Sequence, residues 1–74
     1  MKIKGKRLKR TRLIRQGRYV VEVDVEMVIP KDDPSEPCYE SETIELLKEV
    51  ETRAKQGDVK WLRKVGTVFE KVGS

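Results

Sequence analysis

Arg18-Tyr-Val-Val-Glu-Val-Asp-Val-Glu-Met-Val-Ile29 is the stretch that decides the fold of this chain. Along it Tyr19, Val21, Val23, Val25, Met27 and Ile29 alternate with Arg18, Val20, Glu22, Asp24, Glu26 and Val28. Successive side chains of a strand point to opposite faces, so this period of two offers one face to a core and one to water. A helix would spread the same valines around its whole girth, and no turn residue interrupts the run. The stretch is predicted as a β-strand.

On its N-terminal side, residues 7–15 alternate weakly, and Gln16-Gly17 supplies a turn with a residue that tolerates positive φ. A hairpin is therefore predicted, with two competing registers. A two-residue loop pairing Arg15 with Arg18 sets Arg10 and Arg12 opposite Val23 and Val21. A three-residue loop pairs Leu13 with Val21 and Thr11 with Val23, and opposes Arg12 to Glu22 and Arg10 to Asp24. Facing opposite charges stabilise a sheet by about 0.2–1 kcal/mol per pair, so the three-residue loop is expected, although it leaves Lys9 opposite Val25. Residues 1–6 are expected to fray.

On the C-terminal side, Pro30-Lys-Asp-Asp-Pro-Ser-Glu-Pro37 holds three prolines in eight residues and reads as a loop making a defined excursion across the domain. Ser41 reads as the N-cap of a helix over about 42–56, with Glu40, Glu42 and Glu45 near the end where the helix dipole favours negative charge. Ile44, Leu47, Val50 and Ala54 form its apolar stripe, with Leu46 at the flank. Gly57 suits the residue after the helix, and Asp58 caps a second helix over 59–65 with Val59, Leu62 and Val65 inward and Trp61 alongside. Residues 67–72 fit a strand or a continued helix, and their three β-branched residues after Gly66 favour the strand. The predicted fold is a small α+β domain in the order β-β-α-α-β, its antiparallel sheet covered on one face by a two-helix corner. The expected core is Val21, Val23, Val25, Met27, Ile29, Ile44, Leu47, Val50, Ala54, Leu62, Val65 and one of Val68 or Phe69.

The 74 residues fit one domain, 1–74. A chain this short buries only about 60–65% of its unfolded surface, so a homodimer is expected to supplement the core. The single cysteine, Cys38, has no internal disulfide partner. No apolar run approaches the roughly 20 residues needed to span a bilayer, and no apolar segment follows the basic N-terminus as in a secretion signal. A cytoplasmic location without membrane association is the expectation.

Chemistry is sparse. The chain has no histidine, which removes the commonest general base and metal ligand. Cys38 lies between Pro37 and Tyr39 with no cation beside it to activate the thiol. The acidic group Asp32, Asp33, Glu36, Glu40 and Glu42 lacks the spacing and central glycine of a calcium loop. Glycines 5, 17, 57, 66 and 73 never cluster as a phosphate-binding loop requires. No catalytic residue, metal or cofactor is therefore expected, and the protein is not expected to be an enzyme.

The charge distribution carries the functional content. Residues 1–18 hold nine basic side chains and no acid, whereas residues 19–74 hold eight basic and all thirteen acidic ones, a net −5 behind a +9 leader. Lys6, Arg7, Lys9, Arg10, Arg12, Arg15 and Arg18 are the candidate contacts to DNA or RNA, because clustered arginines neutralise and fork onto phosphates. Strand alternation sends Lys6, Arg10 and Arg12 to one face and Arg7, Lys9 and Arg15 to the other. Tyr39 is the aromatic left free, with Trp61 and Phe69 expected in the core, so no base-stacking platform is expected. Two alternatives compete. The cations are neutralised internally by Glu22, Asp24 and Glu26, or the long strand with its open edge and exposed Val20 and Val28 serves a homodimeric interaction module without nucleic acid.

Overall fold

The computed structural model describes residues 3–72 and contains the predicted hairpin. Strand β1 spans Gly5–Gln16 and β2 spans Tyr19–Pro30. Helices α1 (Ser41–Gln56) and α2 (Val59–Val65) follow, and β3 (Thr67–Glu70) completes an antiparallel sheet ordered β1-β2-β3. This is the small α+β architecture expected from the pattern, with residues 67–70 a strand rather than a continued helix.

The hairpin register differs from expectation by one residue. Gln16 pairs with Tyr19 across the two-residue loop Gly17-Arg18, so Ile14 faces Val21, Arg12 faces Val23 and Arg10 faces Val25. A one-residue slip exchanges the two faces of a strand. Here it carries Ile14 onto the core opposite Val21, where the expected register had Leu13, and leaves Leu13 exposed on the other face. The two-residue loop, with Gly17 at its first position in positive φ (60°), matches the twist of the strands and outweighs the few tenths of a kcal/mol that exposed cross-strand ion pairs supply.

Val21, Val23, Val25, Val50, Ala54 and Leu62 form the buried cluster, with Ile14, Tyr39, Leu46, Leu47, Trp61, Val65 and Val68 packed against it. Three expected core members fall short. Met27 and Ile29 are half-buried, while Val28, on the opposite side of β2 by alternation, is fully buried. The cause is the proline loop, which returns beside β2 and makes reciprocal backbone bonds between Val28 and Cys38, each 2.8 Å. Ile44 is 42% exposed whereas Leu46 packs on the cluster. At 3.6 residues per turn Ile44 lies about 120° around α1 from Val50, and Leu46 only about 40°. Phe69 is half exposed on the open face, so Val68 is the β3 residue that joins the core.

Two local expectations are also corrected. Residues 3–6 do not fray among the described residues: the Ile3 amide donates to Glu40 Oε2 at 3.0 Å, the Lys4 carbonyl accepts from Lys31, and Gly5 pairs with Pro30. Residues 1 and 2 lie outside the described range. The N-cap of α1 is Glu40 rather than Ser41. Its carboxylate faces Arg7 instead of the helix, while its carbonyl receives the amides of Thr43 and Ile44.

The turn between the helices follows the sequence closely. Gly57 takes the left-handed conformation (φ 72°), its amide donates to the Ala54 carbonyl, and the Asp58 amide donates to that of Arg53. These paired bonds satisfy the last carbonyls of α1 in a Schellman motif. Asp58 then accepts the Trp61 amide at 3.3 Å and caps α2. The loop's Asp33 accepts the amide and hydroxyl of Ser35, as turn-forming residues do.

Candidate nucleic-acid interface

All six cations of β1 stand on a strand at the edge of the sheet, and no acid interrupts them. Alternation sorts them as predicted. Lys6, Arg10 and Arg12 lie on the face that carries the helices, opposite Ile29, Val25 and Val23. That this face is the covered one follows from Gln16, two residues further along the same row than Ile14, which donates to Glu51 of α1 at 3.1 Å. Arg7, Lys9 and Arg15 lie on the open face, opposite Val28, Glu26 and Val20.

Two of the seven candidate residues hold carboxylates. Arg7 reaches Glu40 at 2.7 Å and Glu26 at 2.9 Å, and Val28 sits fully buried in the row it crosses. The hydrogen bonds that Arg7 donates to Glu40 first and Glu26 second raise its pKa above the ordinary value. Arg7 therefore ties the start of β1 to the start of α1. Arg18, in the hairpin turn, reaches Glu70 of β3 at 3.4 Å, with both side chains largely exposed.

The other five, Lys6, Lys9, Arg10, Arg12 and Arg15, form no ion pair among the described residues. Internal neutralisation is thus narrower than the sequence reading allowed. Of the three β2 acids, Glu26 holds Arg7, and Asp24 accepts a 2.9 Å hydrogen bond from the Thr11 hydroxyl. The register slip is responsible, because it opposes Asp24 to Thr11 and Glu22 to Leu13 in place of the two arginines.

Tyr39 is not free. It packs on the core, and the Arg12 guanidinium lies 5.9 Å from its ring centroid, a cation–π contact that aims the arginine along the rim of the covered face. Lys6, Arg10 and Arg12 form a row with no acid opposite them in β2 and no exposed aromatic ring within it. Such a row can neutralise a phosphate backbone, and it offers no surface for stacking bases.

Elsewhere, a shallow groove lies between the hairpin turn (Gly17, Arg18, Tyr19) and the end of α1 (Lys55, Gln56, Gly57). Cys38 is half-buried. Among the described residues no three carboxylate or thiol side chains gather as metal ligands, and no helix is long and apolar enough to cross a membrane. Comparison with protein families, with curated proteins and with solved structures returns no match.

Proposed function

We propose that this chain is a non-enzymatic nucleic-acid-binding domain that engages the phosphate backbone through edge strand β1, with little sequence preference. One observation carries this reading: five cations on a single edge strand form no ion pair among the described residues. A monomer whose leader served only solubility would gain by pairing these charges with its thirteen acids. The helix-side row Lys6, Arg10 and Arg12 is the centre of the site, with Lys9 and Arg15 flanking it from the open face. Arg7 is the scaffold residue that positions the strand.

Each phosphate neutralised on duplex DNA contributes about 0.9 to the slope of log affinity against log salt, so full engagement of the five cations predicts a slope of roughly −4 to −5. Fluorescence anisotropy with labelled duplex DNA, single-stranded DNA and RNA across a salt series tests the reading. Replacing Lys6, Arg10 and Arg12 by glutamine should lower the slope by about 2–3 and weaken binding uniformly across sequences. Absence of binding at low salt, or an undiminished slope in the triple variant, overturns it.

A further inference from the structure

We propose that the outer edge of β1 takes a stretched single strand of RNA, laid alongside it as an added strand would be. The inference rests on the nucleic-acid reading and names the substrate class of that site. Val28 exchanges two backbone bonds with Cys38, so its amide and carbonyl face away from β1. Arg7, which pairs with Val28, therefore turns its own N–H and C=O away from β2. Alternation extends this to Lys9, Thr11, Leu13 and Arg15. All five residues are exposed, and none makes an outward backbone hydrogen bond among the described residues.

The edge thus repeats one donor and one acceptor every two residues, at a spacing of about 6.6–6.8 Å. Phosphates of a stretched polynucleotide recur at a closely similar spacing, and each RNA nucleotide adds a 2′-hydroxyl that can donate. Outward amides then meet phosphate oxygens, and outward carbonyls meet 2′-hydroxyls. DNA has no such donor, so its phosphates alone would face the carbonyl oxygens as well as the amides. The cations flank this line from both sides, Lys6, Arg10 and Arg12 from the helix side and Lys9 and Arg15 from the open side. From Lys6 to Arg15 the strand runs about 30 Å, the length of roughly five stretched nucleotides.

A duplex meets this edge less well. Each of its strands completes a turn in roughly ten base pairs, so five successive phosphates wind nearly half way round the axis and leave a straight edge. The second strand's phosphates would also approach Glu22 and Asp24, which stand on the open face of β2 directly behind β1. An acidic peptide adding as a β-strand is the competing occupant. Its carboxylates would have to match the uneven series 6, 9, 10, 12 and 15, whereas a polynucleotide carries a charge on every unit.

Fluorescence anisotropy on the full chain tests the proposal, with a short oligouridylate, its deoxy counterpart, an RNA duplex of equal length and an alternating Glu-Thr peptide. Oligouridylate should bind at least about tenfold tighter than the duplex. It should bind about threefold or more tighter than the deoxy strand, the yield of about one net hydrogen bond. Its salt slope should be about −3 to −4, five phosphates at roughly 0.7 each. Leu13→Pro removes one outward N–H without breaking a ladder bond or changing the charge, and should weaken oligouridylate binding severalfold where Leu13→Ala does not. Amide exchange by NMR on the unaltered chain gives the same answer without relying on that variant: the outward amides of Lys9, Thr11 and Leu13 should slow on saturation, and exposed amides of the proline loop should not. Equal or tighter binding of the duplex or the deoxy strand, or outward amides left unprotected, overturns this proposal and leaves the nucleic-acid reading standing. Absence of binding to every oligonucleotide, or tighter binding of the peptide than of any of them, overturns both.

Discussion

Asp58 joins two helices through three interactions. Its amide closes the Schellman turn after α1, one carboxylate oxygen caps α2, and the other accepts from Arg53 at 2.8 Å. Arg53 is fixed in turn by Glu49 at 3.0 Å and stands 5.1 Å from the Trp61 ring centroid. Hydrogen bonding from Arg53, and then from the Trp61 amide, holds the Asp58 carboxyl below its ordinary range. A carboxylate with a depressed folded-state pKa stabilises the fold above its unfolded value of about 3.9 and loses that contribution as pH falls through the folded value. Asp58→Asn retains the capping oxygen and removes the charge together with the second acceptor that Arg53 uses. The variant should melt below the wild type at neutral pH, and the gap should close as pH falls below about 4, the unfolded value, and through the lower folded one. Thermal denaturation across that range is the check, and a gap independent of pH would assign the effect to something other than the charge. The cap itself was legible in the sequence, because Gly-Asp between two apolar-periodic segments has few other uses. The Arg53 partnership was not, since it depends on how sharply the chain turns.

At the scale of elements, the attachment of β3 depends on Gly66. A Cβ built there would overlap the Glu22 carbonyl oxygen and press on Val23. Gly66 itself is extended (φ −169°), a conformation open to any residue, so its requirement is space and not backbone freedom. Gly66→Ala should cost about 1–3 kcal/mol, the range for forcing an atom into packed structure. It should also raise amide hydrogen exchange in β3 and along the β2 edge at residues 19–22 before it affects the β1–β2 hairpin. Urea denaturation and hydrogen exchange measure the two effects, and a neutral substitution would mean that β3 tolerates a wider seat. Strand identity for residues 67–70 followed from β-branching in the sequence. Hairpin register did not, because the competing pairings differ by fractions of a kcal/mol and each sets one apolar β1 residue, Leu13 or Ile14, opposite Val21.

At the scale of the whole molecule, the core is small: six buried residues in the main cluster, with Leu62 fully enclosed. At about 0.05–0.15 kcal/mol per residue, a 74-residue domain holds a stability reserve of roughly 4–11 kcal/mol. Leu62→Ala should remove about 2–5 kcal/mol of it. A fall of at least about 10 °C in the melting midpoint is expected, measured at fixed protein concentration because association would make the midpoint concentration-dependent. A fall of a degree or two would show that the helical corner adds little to the sheet.

The sequence by itself determined the kinds of element and their order, because period-two valines, caps and turn residues act over a few positions and need no distant partner. It also determined the partition of the β1 cations into two rows, since alternation along one strand is a local property. Tertiary structure alone decided which row meets helices and which meets acids. That choice turns on a single-residue slip between two strands, which sets Ile14 rather than Leu13 opposite Val21 and onto the core. It likewise decided that Arg7 is occupied and Arg12 is aimed. Their partners, Glu40 and Tyr39, come into reach only when the proline loop folds back along β2 and pairs Cys38 with Val28.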